Sequence, residues 1–121
     1  MNVTITIAGP LASPCSIYKA LTGQAQTGVT VLPAAPPITT SQSGRGACQW
    51  LAVQNDPSNA AATNVYYGDA SVRGDGTCQG NTIALGATYV KNSSKFDAVS
   101  LINSFLNASG SAKVNIDVNF V

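Results

Sequence analysis

The last residues of the chain alternate between polar and apolar positions without a break. From Lys113 to Phe120, every second residue is apolar and every intervening residue is polar. This period of two predicts a strand with one buried and one solvated face. We therefore expect its apolar side chains to be buried together, and these are Val114, Ile116, Val118 and Phe120.

A small-polar run precedes this strand, at residues 107–111, and it contains Gly110. Such a run is typical of a hairpin connection. It predicts that residues 104–107 and 113–121 form the two strands of a final hairpin.

Shorter runs of the same kind occur along the whole chain. The clearest is the N-terminal one, where Val3, Ile5 and Ile7 alternate with polar residues until Gly9 and Pro10 end the pattern. Residues 16–21 give a less regular candidate strand, and residues 96–103 are the one stretch that could hold a helical turn. Further strands are predicted at residues 29–32, 47–54, 64–68, 83–85 and 88–90.

The predicted fold is all-β, because about eight short strands are separated by glycine and proline signals. We expect residues 1–121 to form a single-domain β-sandwich or jelly-roll-like fold. Three prolines, Pro33, Pro36 and Pro37, stiffen an extended segment near residues 32–43. We interpret this segment as an arm or connector at residues 32–46.

Composition argues against several classes of partner. Only 9% of the residues are charged, the net charge is +1, and six cations are scattered along the chain. Nucleic-acid binders usually carry a clustered basic patch, and peripheral membrane proteins a basic amphipathic helix. We expect neither partner. Low charge also weakens self-repulsion, which favours association into a multi-subunit assembly.

The residue types needed for catalysis are largely missing. The chain has no histidine and no glutamate, so its serines and cysteines lack their commonest general base. Paired aspartates remain formally available, but we predict no catalytic residues, no cofactor and no metal. The weak metal alternative is a loop calcium site that uses Asp69 and Asp75.

Several short motifs have ordinary structural interpretations. Arg73-Gly74-Asp75 spells an integrin-type tripeptide, but we interpret it as a tight, solvated turn. N-x-Ser/Thr sequons begin at Asn2, Asn92 and Asn107, and we interpret them as incidental because the N-terminus does not resemble a signal peptide.

Aromatic residues and cysteines each leave two interpretations open. Tyr66, Tyr67 and Trp50 could stack on a sugar, although we favour packing in the core or against a subunit. Trp50 lies in a run that is apolar at nearly every position, so we expect it either in the core or in a subunit contact. The chain has three cysteines: Cys15, Cys48 and Cys78. We expect all three to be reduced thiols, and the alternative is one disulfide and one free thiol.

The C-terminal half resembles small virion proteins of tailed bacteriophages. The matching segments are NVYYGD at residues 64–69, GNTIALG at 80–86, FDAVSL at 96–101, and the strand-Gly-strand pattern at 104–116. The resemblance implies a β-sandwich on the outside of a capsid, at its vertices or at a head–tail junction. It implies no catalytic residues. Residues 1–63 lie outside it.

Our leading hypothesis is therefore a structural virion protein, a capsid decoration or cement protein that stabilises the head. Its expected partners are the major capsid protein and copies of itself, as a trimer, and it would be made in the bacterial cytoplasm. A virion-surface module that binds glycans or the host envelope is the second hypothesis. A minor head–tail or tail protein is the third.

Overall fold

The computed structural model describes residues 2–32, 47–78, 80–93 and 99–120. These residues contain ten strands and one short helix. The elements are β1 (Asn2–Ala8), β2 (Cys15–Ser16), α1 (Ile17–Leu21), β3 (Val29–Leu32), β4 (Ala47–Asn55), β5 (Val65–Gly68), β6 (Asn81–Ile83), β7 (Thr88–Asn92), β8 (Val99–Ser100), β9 (Phe105–Ala108) and β10 (Ser111–Phe120).

The strands form two antiparallel sheets. The larger sheet has the order β3-β1-β10-β4-β7. The short strand β8 also pairs with β4, at residues 47–48, whereas β7 pairs with residues 50–54. The smaller sheet has the order β2-β9-β5-β6. The core contains buried side chains from both sheets and from α1. The predicted all-β sandwich is confirmed, with ten described strands in place of about eight.

The strand β10 has the predicted alternation. Val114, Ile116 and Val118 are buried, while the polar residues between them point to the opposite face. The side chain of Phe120, predicted to join them, lies outside the described part of the structure. On β1, Val3, Ile5 and Ile7 are also buried as predicted.

Ile116→Val should lower the free energy of unfolding by about 1 kcal/mol, because it removes one methyl group from a closely packed core position. Urea unfolding followed by circular dichroism measures the change. Thr6→Ser is the matched control, since it removes a methyl group from an exposed position on β1. Equal effects of the two substitutions would contradict the assignment of the buried face.

The predicted final hairpin is wrong. The strand β9 belongs to the smaller sheet, where it pairs with β2 and β5, whereas β10 pairs with β1 and β4 in the larger sheet. The connection at Ser109 and Gly110 is therefore a corner between sheets. Small polar residues suit either connection, and the alternation of apolar residues does not specify which sheet a strand joins.

The candidate strand at residues 16–21 is also wrong for most of its length. Cys15 and Ser16 form β2, and residues 17–21 form α1. The Ser16 hydroxyl accepts a hydrogen bond from the Lys19 backbone N–H at 3.2 Å, which caps the start of the helix. Ile17, Ala20 and Leu21 are buried, with the spacing of one helix face.

Two predicted features fall wholly or partly outside the described residues. The arm at 32–46 is described only at Leu32, so it stays a prediction. Of the candidate helical turn at 96–103, the structure describes residues 99–103, which contain β8 followed by a bend and a turn. The predicted strand at 83–85 shares only Ile83 with β6, because the chain turns at Leu85 and Gly86. The other predicted strands are confirmed within one or two residues at their ends.

Candidate functional site

The outer faces of the two sheets differ in how they are covered. On the smaller sheet, Tyr66 and Asn107 lie opposite each other on β5 and β9, and both are buried. Their cover comes from the chain itself, through the loops at residues 9–14 and 69–78. The centre of this face is therefore covered by the chain itself, while Thr82 on β6, opposite Tyr66, is exposed.

Asn107 joins both covering loops to β9. Its Oδ1 accepts hydrogen bonds from the N–H groups of Leu11 at 2.8 Å and Ala108 at 2.9 Å. Its Nδ2 donates to the carbonyls of Leu11 at 3.0 Å and Val72 at 3.3 Å. All the hydrogen-bonding groups of the amide are occupied and the side chain is inaccessible, so in the folded chain Asn107 is a structural residue and its sequon is blocked.

The loop that carries Arg73-Gly74-Asp75 is docked through its glycine. A Cβ atom on Gly74 would lie 2.4 Å from Pro10 Cβ and 2.5 Å from the Ala108 carbonyl oxygen. Arg73 and Asp75 are both exposed, as the interpretation of a solvated turn predicts. The glycine between them is buried, a close contact that the tripeptide alone does not indicate.

The outer face of the larger sheet is not covered by any described segment. Amide and hydroxyl side chains cross its strands in a hydrogen-bonded row. Thr4 Oγ1 donates to Asn115 Oδ1 at 3.2 Å, and Asn115 Nδ2 donates to Gln54 Oε1 at 3.0 Å. Asn119 Nδ2 donates to Gln49 Oε1 at 2.8 Å. We call this surface the amide face; its residues are Asn2, Thr4, Leu32, Gln49, Trp50, Ala52, Gln54, Thr88, Val90, Asn115, Asp117 and Asn119.

The amide face also exposes apolar side chains. Leu32 is 56% exposed at one edge and Val90 is 49% exposed at the other. Trp50 lies between them, half-buried, in register with Asn119 on β10 and Asn92 on β7. Of the two alternatives predicted for Trp50, the core is wrong, and a subunit contact stays a prediction.

The alternation of β4 places Trp50 on this side, because Trp50, Ala52 and Gln54 all point away from the core. The register changes between Asn119 and Phe120, which pair with Trp50 and Cys48 and leave Gln49 as the extra residue. The amide face carries the carboxylate of Asp117, which lies 3.0 Å from the Asn2 amide nitrogen when that amide is oriented to donate. It is therefore a broad surface with little net charge, whose polar groups largely bond to one another.

The aspartate turns have a common local geometry. In each, an aspartate Oδ1 accepts from the backbone N–H two residues later, at 2.8 to 2.9 Å. These hydrogen bonds favour the charged form, so they lower the pKa of the carboxyl group. The pairs are Asp56 with Ser58, Asp69 with Ser71, and Asp75 with Thr77.

The suggested calcium site is not assembled by these turns. Asp69 and Asp75 each bond within their own turn. Across the described ranges there is no group of three or more histidine, cysteine, aspartate or glutamate side chains placed to hold a metal ion.

Stability should be independent of pH between about 5 and 8 and should fall as the pH drops below about 4. The chain has no histidine or glutamate to titrate in the neutral range. Hydrogen bonds from Ser58 and Asn115 lower the pKa of Asp56 from 3.8 to about 2. The ionised Asp56 therefore contributes to the stability of the fold above pH 3.8, its pKa in the unfolded chain, and this contribution is lost as the pH approaches 2. Urea midpoints at a series of pH values measure this. A marked change between pH 5 and 8 would contradict it.

The tyrosines proposed for sugar stacking are not accessible. Tyr66 and Tyr67 are 7% and 4% exposed. The Tyr67 hydroxyl lies 2.7 Å from Ser104 Oγ, and its ring lies 5.0 Å from the ring of Tyr89. Of the three aromatic residues considered for glycan binding, Trp50 alone is partly open, so the glycan hypothesis loses two of its three side chains.

The three cysteines are free in the structure, with Cys15 and Cys48 buried and Cys78 exposed. Burial raises the pKa of Cys15 to about 12 and that of Cys48 to about 11. A thiol reagent should therefore modify the exposed Cys78 quickly in the native protein, and it should modify all three cysteines in non-reducing denaturant. Recovery of a single thiol after denaturation would mean that a disulfide exists.

The described helix, α1, has 5 residues, so the part of the chain that the structure describes contains no helix that could span a membrane. Comparisons of the chain with models of protein families, with curated proteins and with solved structures give no match. The amide face was only partly foreseeable, because alternation indicated its polar residues but not how they bond to one another. The position of Asn107 between the apolar Leu106 and Ala108 is the one feature of the sequence that indicates its burial.

Proposed function

We propose that this chain is a structural virion protein of a tailed bacteriophage that decorates the head and binds the major capsid protein through the amide face. The observation that carries the proposal is the contrast between the two outer faces. The chain covers the centre of the smaller sheet with its own loops, while the larger sheet presents a broad surface that no described segment covers. The phage setting rests on the resemblance of residues 64–116 to small virion proteins.

The composition of the amide face suits a protein interface. The core of such interfaces is depleted in charged residues and enriched in aromatic ones, and here Trp50 lies among amides and small apolar residues. The cross-strand hydrogen bonds hold the amides in place before binding, which reduces the entropy lost on association. Contacts of modest strength would then act together through many copies on one particle.

Self-association is part of the proposal. We propose that copies of the chain meet as a trimer, because a decoration protein can seat at a local threefold axis of an icosahedral lattice. The low net charge of +1 offers little repulsion against such packing.

The binding test uses phage heads that lack this protein, mixed with the purified chain and recovered by sedimentation. Ala52→Arg places a charge within the amide face, so we expect it to weaken binding at least about tenfold. Ala25→Arg is the matched control, at an exposed loop position after α1, and should bind like the parent chain. Equal binding of both variants would reject the amide face, and absence of binding by the parent would reject the capsid partner.

A further inference from the structure

We infer that β7 is a self-pairing edge, through which two copies of this chain join their larger sheets around a two-fold axis. This inference is independent of the proposed function: the threefold contact proposed above would form on the capsid lattice, whereas this two-fold contact forms between free copies in solution. Among the described residues, β7 pairs with β4 on one side and with no strand on the other. Its outer backbone groups are therefore available to a further strand.

The hydrogen-bonding register identifies which residues face this free edge. Asn55 N–H donates to the Ala87 carbonyl at 3.1 Å, and Ser93 N–H donates to the Gln49 carbonyl at 2.6 Å. Bonding alternates along an antiparallel pair, so Tyr89 and Lys91 direct their backbone groups toward β4. The backbone groups of the residues between them point outward: Thr88, Val90 and Asn92.

Val90 is the central one of the three residues whose backbone groups face the free edge, with Thr88 on one side and Asn92 on the other. When a second β7 pairs in antiparallel register centred there, Val90 meets its own copy and Thr88 meets Asn92. Each of these pairs is of the hydrogen-bonded type, so the backbone bonds of the free edge are satisfied. Val90 is 49% exposed in the single chain, and the contact would bury its apolar side chain against an identical one.

In the same register, the side chains of Tyr89 and Lys91 on the other face of β7 would make favourable contacts between the two copies. Tyr89 lies opposite Lys91 of the second copy, at a non-hydrogen-bonded pair where side chains approach most closely. An ammonium group over an aromatic ring is a favourable contact, and within one chain Lys91 Nζ already lies 5.7 Å from the centre of the Tyr67 ring. A register centred on Lys91 would instead place two like charges opposite each other.

The expected dimer is concentration-dependent, because one edge strand buries less area than a standard interface. Native mass spectrometry and sedimentation up to about 1 mM protein should detect a two-fold species. Val90→Lys and Val90→Asp should each remove it, because each substitution places two like charges opposite each other. An equimolar mixture of the two variants should restore a heterodimer, since residue 90 faces its own copy.

Leu32→Lys is the matched control, because it also replaces an exposed apolar residue of the amide face, at the opposite edge of the sheet. It should retain the two-fold species. Val90→Cys in a Cys78→Ser background should form a disulfide-linked dimer on mild oxidation, and Leu32→Cys in that background should not. The inference is overturned if no two-fold species forms, if Leu32→Lys removes it equally, or if the mixed variants remain separate.

Discussion

Replacing Asn107 with aspartate should destabilise the fold by about 3–5 kcal/mol, because a buried carboxylate would replace a fully hydrogen-bonded amide. The change preserves the shape of the side chain and replaces its NH₂ group with oxygen. That oxygen would face the carbonyls of Leu11 and Val72, to which the amide now donates. Two acceptors would lose their donor, and a carboxylate would be buried without a cation.

The control is Asn103→Asp, which makes the same chemical change at an exposed asparagine. It should change the free energy of unfolding by less than about 0.5 kcal/mol. Urea unfolding at pH 7 measures both variants. Because protonation would relieve the buried charge, the difference between Asn107→Asp and the parent should shrink as the pH falls toward 4. Similar stabilities of the two variants at pH 7 would show that Asn107 does not join the loops as described.

Gly74→Ala should cost about 2–4 kcal/mol, because the added methyl group has no space. Its Cβ would lie 2.5 Å from the Ala108 carbonyl oxygen, and this backbone atom can move only if β9 moves. The expected result is partial release of the loop at residues 69–78. Tyr66, whose ring lies next to Gly76 in that loop, should then become more accessible to solvent.

Gly110→Ala is the matched control for this substitution. A Cβ on Gly110 meets no atom within 4 Å, so the change should be nearly neutral. Thermal unfolding and tyrosine fluorescence quenching compare the two variants. A neutral Gly74→Ala would mean that the loop packs on Pro10 more loosely than the structure indicates.

The strands that could be predicted are those with one buried face. β1 and β10 alternate strictly because one side of each packs on the core and the other faces solvent. Their pairing was not encoded in the pattern. The run at residues 104–116 resembled a hairpin, yet β9 and β10 enter different sheets, because a corner and a tight turn use the same small polar residues.

The candidate site was less predictable because it depends on register and on contacts between distant residues. Residues 47–54 are apolar in nearly every position, so the sequence alone could not place Trp50 on the core or on the outer face. Alternation with the buried Leu51 and Val53 decides this, and the extra residue at Gln49 then returns Cys48 to the core side. The sequence pattern places Asn107 next to a turn and does not indicate its loop partners, because they are remote in sequence.

The central claim, that this is a decoration protein of a phage head, is tested most directly by its copy number in purified particles. Quantitative mass spectrometry against the major capsid protein gives the ratio. Decoration of an icosahedral lattice predicts on the order of tens to hundreds of copies per particle. A count of about six to twelve would place the chain in a ring at the head–tail junction or tail, and its absence from the particle would contradict a virion role altogether.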